Sequence, residues 1–264
     1  MLDNTETASK TYISYNHPLN EKIRVFLRIE HLWCEIEYFI KQESDATCLI
    51  CLQNILSLLD IVERFDLRSE ASKYLDKLVE KFQKIRIQPV DDIDRDKIDD
   101  IIQQLATASK SLKTSIGKTA SGLSSNEWLS TIRQKMLLPG GLSGSDSPFL
   151  KHWQQFSITQ KINQLRAWQK EFAILADAIN KILFYIRKTS IVTEVSVDNG
   201  VYQRIIDNQF EPQLLVIELP KKYHVYPEIS GNRYRISARF LQSDLISKAV
   251  QYTNQIDFRL AVCW

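Results

Sequence analysis

The period of the apolar residues changes near Lys188 in this chain of 264 residues. Before Lys188, apolar side chains recur every three or four positions, which is the spacing of one face of an α-helix. After it they alternate, as they do along a half-buried β-strand. Helices followed by strands predict the α+β class, with an N-terminal helical bundle domain over residues 17–188 and a smaller, mostly antiparallel β-sheet domain over 189–264.

The element boundaries follow from the same pattern and from capping residues. Residues 1–10 are polar and are predicted to be disordered, whereas residues 11–16 alternate like a strand that could join the later sheet. Asn20 is a good N-cap for the first helix. Later helices are predicted at about 45–64, 67–88, after Asp91–Asp94, at about 126–137 and at about 159–188. Strands are predicted at 190–195, 214–219, 223–229, 233–240 and 256–263.

Charge and hydropathy exclude some classes of protein. The formal net charge is +2, so the chain is not a polycation of the kind common among nucleic-acid binders, and any basic site must come from local clustering. The N-terminus has no apolar run typical of a secretory signal. No segment approaches the ~20 uninterrupted apolar residues that span a bilayer. The sequence predicts a soluble, non-secreted protein without direct membrane insertion.

Cysteine chemistry is not expected. Cys48 and Cys51 have the spacing of half a zinc site or of a redox pair, but no second Cys or His pair is suitably placed. Their neighbours are apolar and helical, so two packed thiols are the favoured interpretation. No constellation of acids, bases or nucleophiles matches a known catalytic arrangement. The sequence therefore predicts no metal, no cofactor and no enzymatic activity.

Two pairs of arginines repeat at helical spacing. Arg24 and Arg28 lie one turn apart in the first helix, and Arg64 and Arg68 have the same spacing after the second. Glu21 can offset the charge of Arg24 but not that of Arg28. Such a cationic face suits an anionic partner. From spacing alone, a solvated face is the commoner outcome.

The segment 233–240 gives the clearest strand pattern. Arg233, Arg235 and Arg239 alternate with apolar residues, and neighbours on one face of a strand stand about 7 Å apart. Guanidinium groups bind carboxylates in a bidentate fork, so this row suits an acidic peptide, and it would also suit phosphates. The alternative is an exposed face with cross-strand acidic partners such as Glu194 or Glu218.

Four segments, in the same order and spacing, resemble the ZapD (YacF) family: 17–32, 133–141, 226–240 and 257–263. The resemblance spans nearly the whole chain. It implies a non-enzymatic, cytoplasmic cell-division protein located at the mid-cell Z ring. It also implies binding to the C-terminal tail of FtsZ and, through a homodimer, cross-linking of FtsZ filaments that promotes Z-ring assembly and bundling.

The resemblance also implies which residues bind the FtsZ tail, namely Arg24, Arg28, Arg64 and Arg235. Lys151 stands where the family has a basic or histidine side chain. We add three residues from their spacing on the same faces: Arg68, Arg233 and Arg239.

One departure from the family concerns the segment ahead of Arg133. The family has an arginine there, and this chain has Asn126-Glu127-Trp128. Either the site tolerates the loss, or Lys135 or Lys118 substitutes for the arginine.

A nucleic-acid binder is the alternative function for the same arginines. It would predict an affinity that falls steeply with salt. The near-neutral total charge and the lack of an aromatic stacking motif count against it. We therefore expect a protein partner and no nucleic acid.

Overall fold

The structure is a computed structural model that describes residues 11–88, 94–115, 118–139, 147–206, 211–232, 234–244 and 246–264. Predictions for residues 1–10, 91–93 and Arg233 fall outside the described residues. The chain divides into two compact units, one of Val25–Ile182 and one that joins residues up to Arg24 with Leu183–Trp264. The predicted domain bounds stay a prediction, because compactness alone does not show which segments fold independently.

Helices precede the sheets along the chain, and the predicted α+β class is confirmed. In chain order the helices are α1 (Glu21–Phe39), α2 (Asp45–Arg64), α3 (Leu67–Arg86), α4 (Arg95–Thr114), α5 (Ser121–Ser124), α6 (Glu127–Met136), α7 (Pro148–Gln154), α8 (Ile158–Lys170) and α9 (Ala173–Lys188). Short 3₁₀ turns occupy Ile40–Gln42 and Lys221–Tyr223.

Polar caps start several of these helices. Asn20 accepts a hydrogen bond from the Ile23 amide at 2.9 Å, which confirms the predicted start of α1. The Ser44 hydroxyl caps α2 by accepting from the Thr47 amide at 3.2 Å. Helix α7 was not predicted, although Ser147 followed by Pro148 is an N-terminal helix signal.

The predicted last helix, 159–188, is wrong as a single element, because α8 ends at Lys170 and α9 begins at Ala173. At the break, the Glu171 amide donates to the Trp168 carbonyl and the Phe172 amide to the Gln169 carbonyl, a tighter pattern than that of an α-helix. Phe172 is buried, so the apolar stripe continues through the break. No glycine or proline marks the change of direction.

Two antiparallel sheets form the β-rich unit. The strands are β1 (Tyr12–Pro18), β2 (Ile191–Val197), β3 (Val201–Ile205), β4 (Leu214–Pro220), β5 (Tyr226–Gly231), β6 (Arg235–Gln242), β7 (Val250–Gln251) and β8 (Ile256–Cys263). The first sheet has the order β1-β4-β8-β2, and the second has the order β3-β6-β5, with β7 also paired to β6. The N-terminal strand therefore joins a sheet made by the C-terminal part of the chain, as predicted.

The inner faces of the two sheets share one apolar core. Phe240 of β6 and Phe258 of β8 have ring centroids 4.9 Å apart, and Ile217, Leu260 and Ile236 belong to the same buried cluster. Because side chains alternate along a strand, this burial points Arg235 and Arg239 of β6 to the opposite face.

Gly200 lies where the chain passes from β2 in the first sheet to β3 in the second. Its φ of +61° is in the left-handed region that favours glycine. A Cβ atom at this position would stand 2.1 Å from the carbonyl oxygen of Tyr252. The Gly200 carbonyl also accepts from the Phe240 amide at 2.9 Å. Only glycine fits at this position, where the backbone passes close to the carbonyl of Tyr252.

Helix α2 is long and apolar, and many of its residues are buried. In the parts of the chain that the structure describes, it is the one helix whose length and composition would allow it to cross a membrane. Many of its apolar side chains are buried, among them Leu52, Ile55 and Leu59. A core helix passes the same test of length and composition.

Candidate partner-binding surface

Arg24 and Arg28 are both exposed on α1. The Arg24 Nε lies 3.3 Å from the Glu21 carboxylate, whereas Arg28 has no ion pair with any described residue. This matches the expectation that Glu21 offsets only Arg24. Burial lowers the pKa of the nearby His17, and the charge of Arg24 lowers it further, so His17 adds little positive charge at neutral pH.

Arg64 and Arg68 line one open cavity of about 860 Å³ in the helical unit. This volume is within the range of roughly 300–1,000 Å³ typical of ligand pockets. The end of α2, the start of α3, the end of α4 and residues 118–124 form its wall. Phe65, which the sequence analysis did not single out, adds an exposed aromatic ring to this wall. In the sequence, Phe65 could have been identified as a large apolar residue directly before Asp66, the N-cap of α3.

The Arg68 guanidinium is engaged at the C-terminal end of α4. Its Nε donates to the Leu112 carbonyl at 2.6 Å, and its Nη2 donates to the carbonyls of Lys113 and Ser115. A cation is favourable there because the last carbonyls of a helix carry partial negative charge. Arg68 therefore holds α3 and α4 together, and its assignment to partner binding stays a prediction.

Lys151 is exposed on α7, a short helix fixed by a buried lysine. The Lys161 Nζ donates to the Gln154 carbonyl at 2.5 Å and to Asp45 Oδ1 at 2.6 Å. It also lies 5.7 Å from the centre of the Trp153 ring. These contacts tie the C-terminal end of α7 to the first turn of α2.

The pattern predicted for β6 is largely confirmed. Ile236, Ala238 and Phe240 are fully buried, whereas Arg235 and Arg239 are exposed. The strand predicted at 233–240 begins too early, because Tyr234 precedes β6 and is 46% exposed.

Within the described residues, neither Arg235 nor Arg239 of β6 forms an ion pair. Arg235 donates to the amide oxygen of Gln203 on β3. Arg239 stands opposite Glu228 of β5 in the register, and within the described residues the two form no ion pair. The guanidinium groups of Arg235 and Arg239 are thus not neutralised by carboxylates of this unit.

Glu194 and Glu218 are not partners of these arginines. Both belong to the other sheet, where they lie opposite Arg259 of β8 at 3.6 and 3.8 Å. The Arg259 guanidinium also lies over the Tyr12 ring, 4.8 Å from its centre. Arg259 is therefore neutralised inside the sheet, and the cross-strand partners considered from the sequence were wrong.

The predicted residues divide between the two units. Arg24, Arg235 and Arg239 belong to the β-rich unit, and the helical unit carries Arg28, Arg64, Arg68 and Lys151. The structure brings Arg64 and Arg68 into one cavity and Arg235 and Arg239 onto one strand. Arg233 lies outside the described residues.

Three of the four cysteines have the environment of packed thiols. Cys48, Cys51 and Cys263 are buried, and Cys34 is exposed. Burial raises the pKa of Cys51 to about 12 and that of Cys263 to about 11. Burial also raises the pKa of Cys48. In the described ranges, no group of three or more His, Cys, Asp or Glu residues could hold a metal ion.

Thiol labelling tests this interpretation of the cysteines. At pH 8 the native protein should react rapidly with a thiol reagent at Cys34 alone, because the buried thiols have raised pKa values and little thiolate. In denaturant all four cysteines should react. Mass spectrometry of the labelled protein counts the modified residues, and rapid native labelling at Cys51 would contradict the packed arrangement.

Comparison with known proteins gives consistent matches. The sequence profile of the ZapD family, described as a cell division protein, matches residues 27–239. The cell division protein ZapD of Ralstonia pickettii (strain 12J) is 31% identical over 252 residues, which cover 95% of this chain and 99% of that relative. The cell division protein ZapD of Escherichia coli O7:K1 (strain IAI39 / ExPEC) is 32% identical over 254 residues, covering 96% of this chain and all of that relative.

Proposed function

The chain belongs to the ZapD family of cell division proteins, and from this premise we propose that it binds the C-terminal tail of FtsZ and, as a homodimer, cross-links FtsZ filaments. The role in cell division follows from the family. The proposal adds the partner, the basic surface that contacts it and the bridging action. It places the protein in the cytoplasm at the Z ring, with no catalytic step.

The observation that supports the proposal most is a set of exposed cations without internal partners. Arg28, Arg64, Lys151 and Arg239 have no ion pair among the residues that the structure describes. Other arginines are paired, such as Arg133, whose Nη1 lies 2.7 Å from Glu63. An arginine without an internal ion pair can bind a carboxylate of a partner without breaking one.

Weak contacts suffice for such a cross-linker. An exposed ion pair contributes only about 0.2–1 kcal/mol, so a few of them supply far less than the roughly 8 kcal/mol of a micromolar site. A homodimer presents two sites, and a filament offers many tails at high effective concentration. Bridging then succeeds although each individual site is weak.

Co-sedimentation with FtsZ filaments tests the proposal. The parent protein should pellet with filaments of full-length FtsZ and increase filament bundling. Filaments that lack the C-terminal tail should leave it in the supernatant. Equal pelleting with and without the tail would show that the tail is not the part of FtsZ that the protein recognises.

Two substitutions test the surface itself. Arg28→Ala and Arg235→Glu should each weaken one site by about 1 kcal/mol, which is about fivefold in affinity. Bridging requires two sites, so bundling should fall by about 25-fold. Turbidity and pelleting measure this loss, and circular dichroism checks that the variants are folded.

Matched controls use exposed arginines outside the proposed surface. Arg166→Ala on α8 and Arg204→Glu on β3 make the same changes at residues without an ion pair in the described structure. Both should bundle filaments like the parent. If all four variants lose bundling equally, net charge rather than this surface controls the interaction.

A further inference from the structure

The charges that line the cavity are unevenly balanced. Five cations line it, and the carboxylates of Glu63, Asp66 and Asp76 are the acidic groups among its described lining residues. Two of these carboxylates already form ion pairs with other side chains. Glu63 binds Arg133 at 2.7 Å, and Asp76 binds Lys113 at 2.8 Å.

Asp66 is also engaged in the local structure. Its side chain accepts a hydrogen bond from the Ser69 amide at 3.3 Å and caps α3. It is exposed and forms no ion pair with the described residues. One carboxylate without an ion pair cannot neutralise the cations that remain.

The cations divide into engaged and unengaged groups. Arg68 binds the carbonyls at the end of α4, Lys113 binds Asp76, and Lys73 lies 3.2 Å from Glu70. The side chains of Arg64 and Lys118 are exposed and have no hydrogen-bond or ion-pair partner within the described ranges. The cavity therefore presents two unengaged positive groups from different parts of the chain, beside the exposed ring of Phe65.

We propose that this cavity binds a carboxylate-bearing segment of a peptide, with Arg64 and Lys118 as the two cations that contact it. Such a ligand satisfies both charges, and Phe65 supplies an apolar wall for the chain of the peptide. The inference rests on the proposed function, since the peptide would be the FtsZ tail. It assigns to Lys118 the role of the arginine that this chain lacks ahead of Arg133.

The geometry favours Lys118 over the other lysine that the sequence offered. Lys118 lines the cavity together with Arg64. Lys135, near the end of α6, is not among the described residues that line it. A ligand in this cavity can therefore contact both Lys118 and Arg64.

Binding of a fluorescent FtsZ-tail peptide, followed by anisotropy, tests the inference. Lys118→Ala should weaken binding about fivefold, and Lys118→Glu should weaken it more. Lys110→Ala is the matched control, because Lys110 is an exposed lysine of α4 outside the cavity. The Lys110→Ala variant should bind the peptide with the same affinity as the parent protein. Thermal unfolding should show that all three variants are folded.

Amine footprinting gives a second readout that a purely structural role would not change. Saturating tail peptide should protect the Lys118 amine from acetylation and leave Lys110 reactive. If the parent and Lys118→Ala bind the peptide equally while Arg235→Glu does not, the cavity is wrong and the proposed function stands. If the parent does not bind the peptide, the proposed function fails and this inference fails with it.

Discussion

Replacing Gly200 with alanine is expected to lower the free energy of unfolding of the β-rich unit by about 2–6 kcal/mol. A non-glycine residue held at a φ of +61° costs about 1–3 kcal/mol. The new Cβ would also stand 2.1 Å from the Tyr252 carbonyl oxygen, so backbone must move, at a similar cost. Urea unfolding followed by tryptophan fluorescence and circular dichroism measures the change.

Gly122 provides the matched control for this substitution. It lies in α5, where an added Cβ would have the Glu171 carboxylate as its nearest neighbour, at 4.0 Å. Gly122→Ala should therefore be neutral, or stabilising by up to about 1 kcal/mol. If Gly200→Ala were as stable as Gly122→Ala, the backbones of Gly200 and Tyr252 would not lie this close together in solution.

Replacing Asp45 with alanine is expected to destabilise the helical unit by about 2–3 kcal/mol. The Lys161 side chain is only 2% exposed, and Asp45 is its carboxylate partner at 2.6 Å. Removing one partner of a buried pair costs about 3–5 kcal/mol. The Asp45 side chain is 70% exposed, so solvent screening places the loss at or below the lower end of that range.

The companion substitution, Lys161→Met, should be milder, at about 1 kcal/mol. It removes the buried charge together with its need for a partner and keeps most of the side-chain volume. The Gln154 carbonyl loses a hydrogen bond. Equilibrium urea unfolding compares the two variants, and the expected order is that Asp45→Ala is the less stable.

A control separates the ion pair from the effect of a carboxylate in the first turn of a helix. Asp96 is an exposed carboxylate in the first turn of α4, and in the described structure it has no ion pair. Asp96→Ala should cost about 0.3–1 kcal/mol through the helix dipole alone. If Asp45→Ala costs no more than Asp96→Ala, the buried ammonium of Lys161 does not depend on its carboxylate.

Local patterns predicted most elements of the fold. Alternation along β6 identified Ile236, Ala238 and Phe240 as the buried face, because burial on one face of a strand requires a period of two. The bounds predicted for α2 agree with Asp45–Arg64. The break between α8 and α9 escaped prediction, because apolar residues continue through it. The edge strand β3 was missed since polar residues interrupt its short apolar pattern.

The site depends on contacts that periodicity does not encode. Glu194 and Glu218 looked suitable as partners for the arginines of β6, but strand order assigns them to the other sheet. Arg68 lines the cavity and binds a helix end 44 residues away along the chain. Of the seven predicted cations that the structure describes, all but Arg68 are exposed, whereas their neutralisation could be judged only from long-range pairing.

The pairing of β1 with β4 has a consequence for the order of events during protein synthesis. Residues 12–18 leave the ribosome before the other strands of their sheet, which also needs β8, Ile256–Cys263. The nascent chain must therefore keep this early segment available until β8 has been synthesised, while Val25–Ile182 has already emerged. Removing residues 12–18 would uncover the backbone of β4 and invite association between nascent chains.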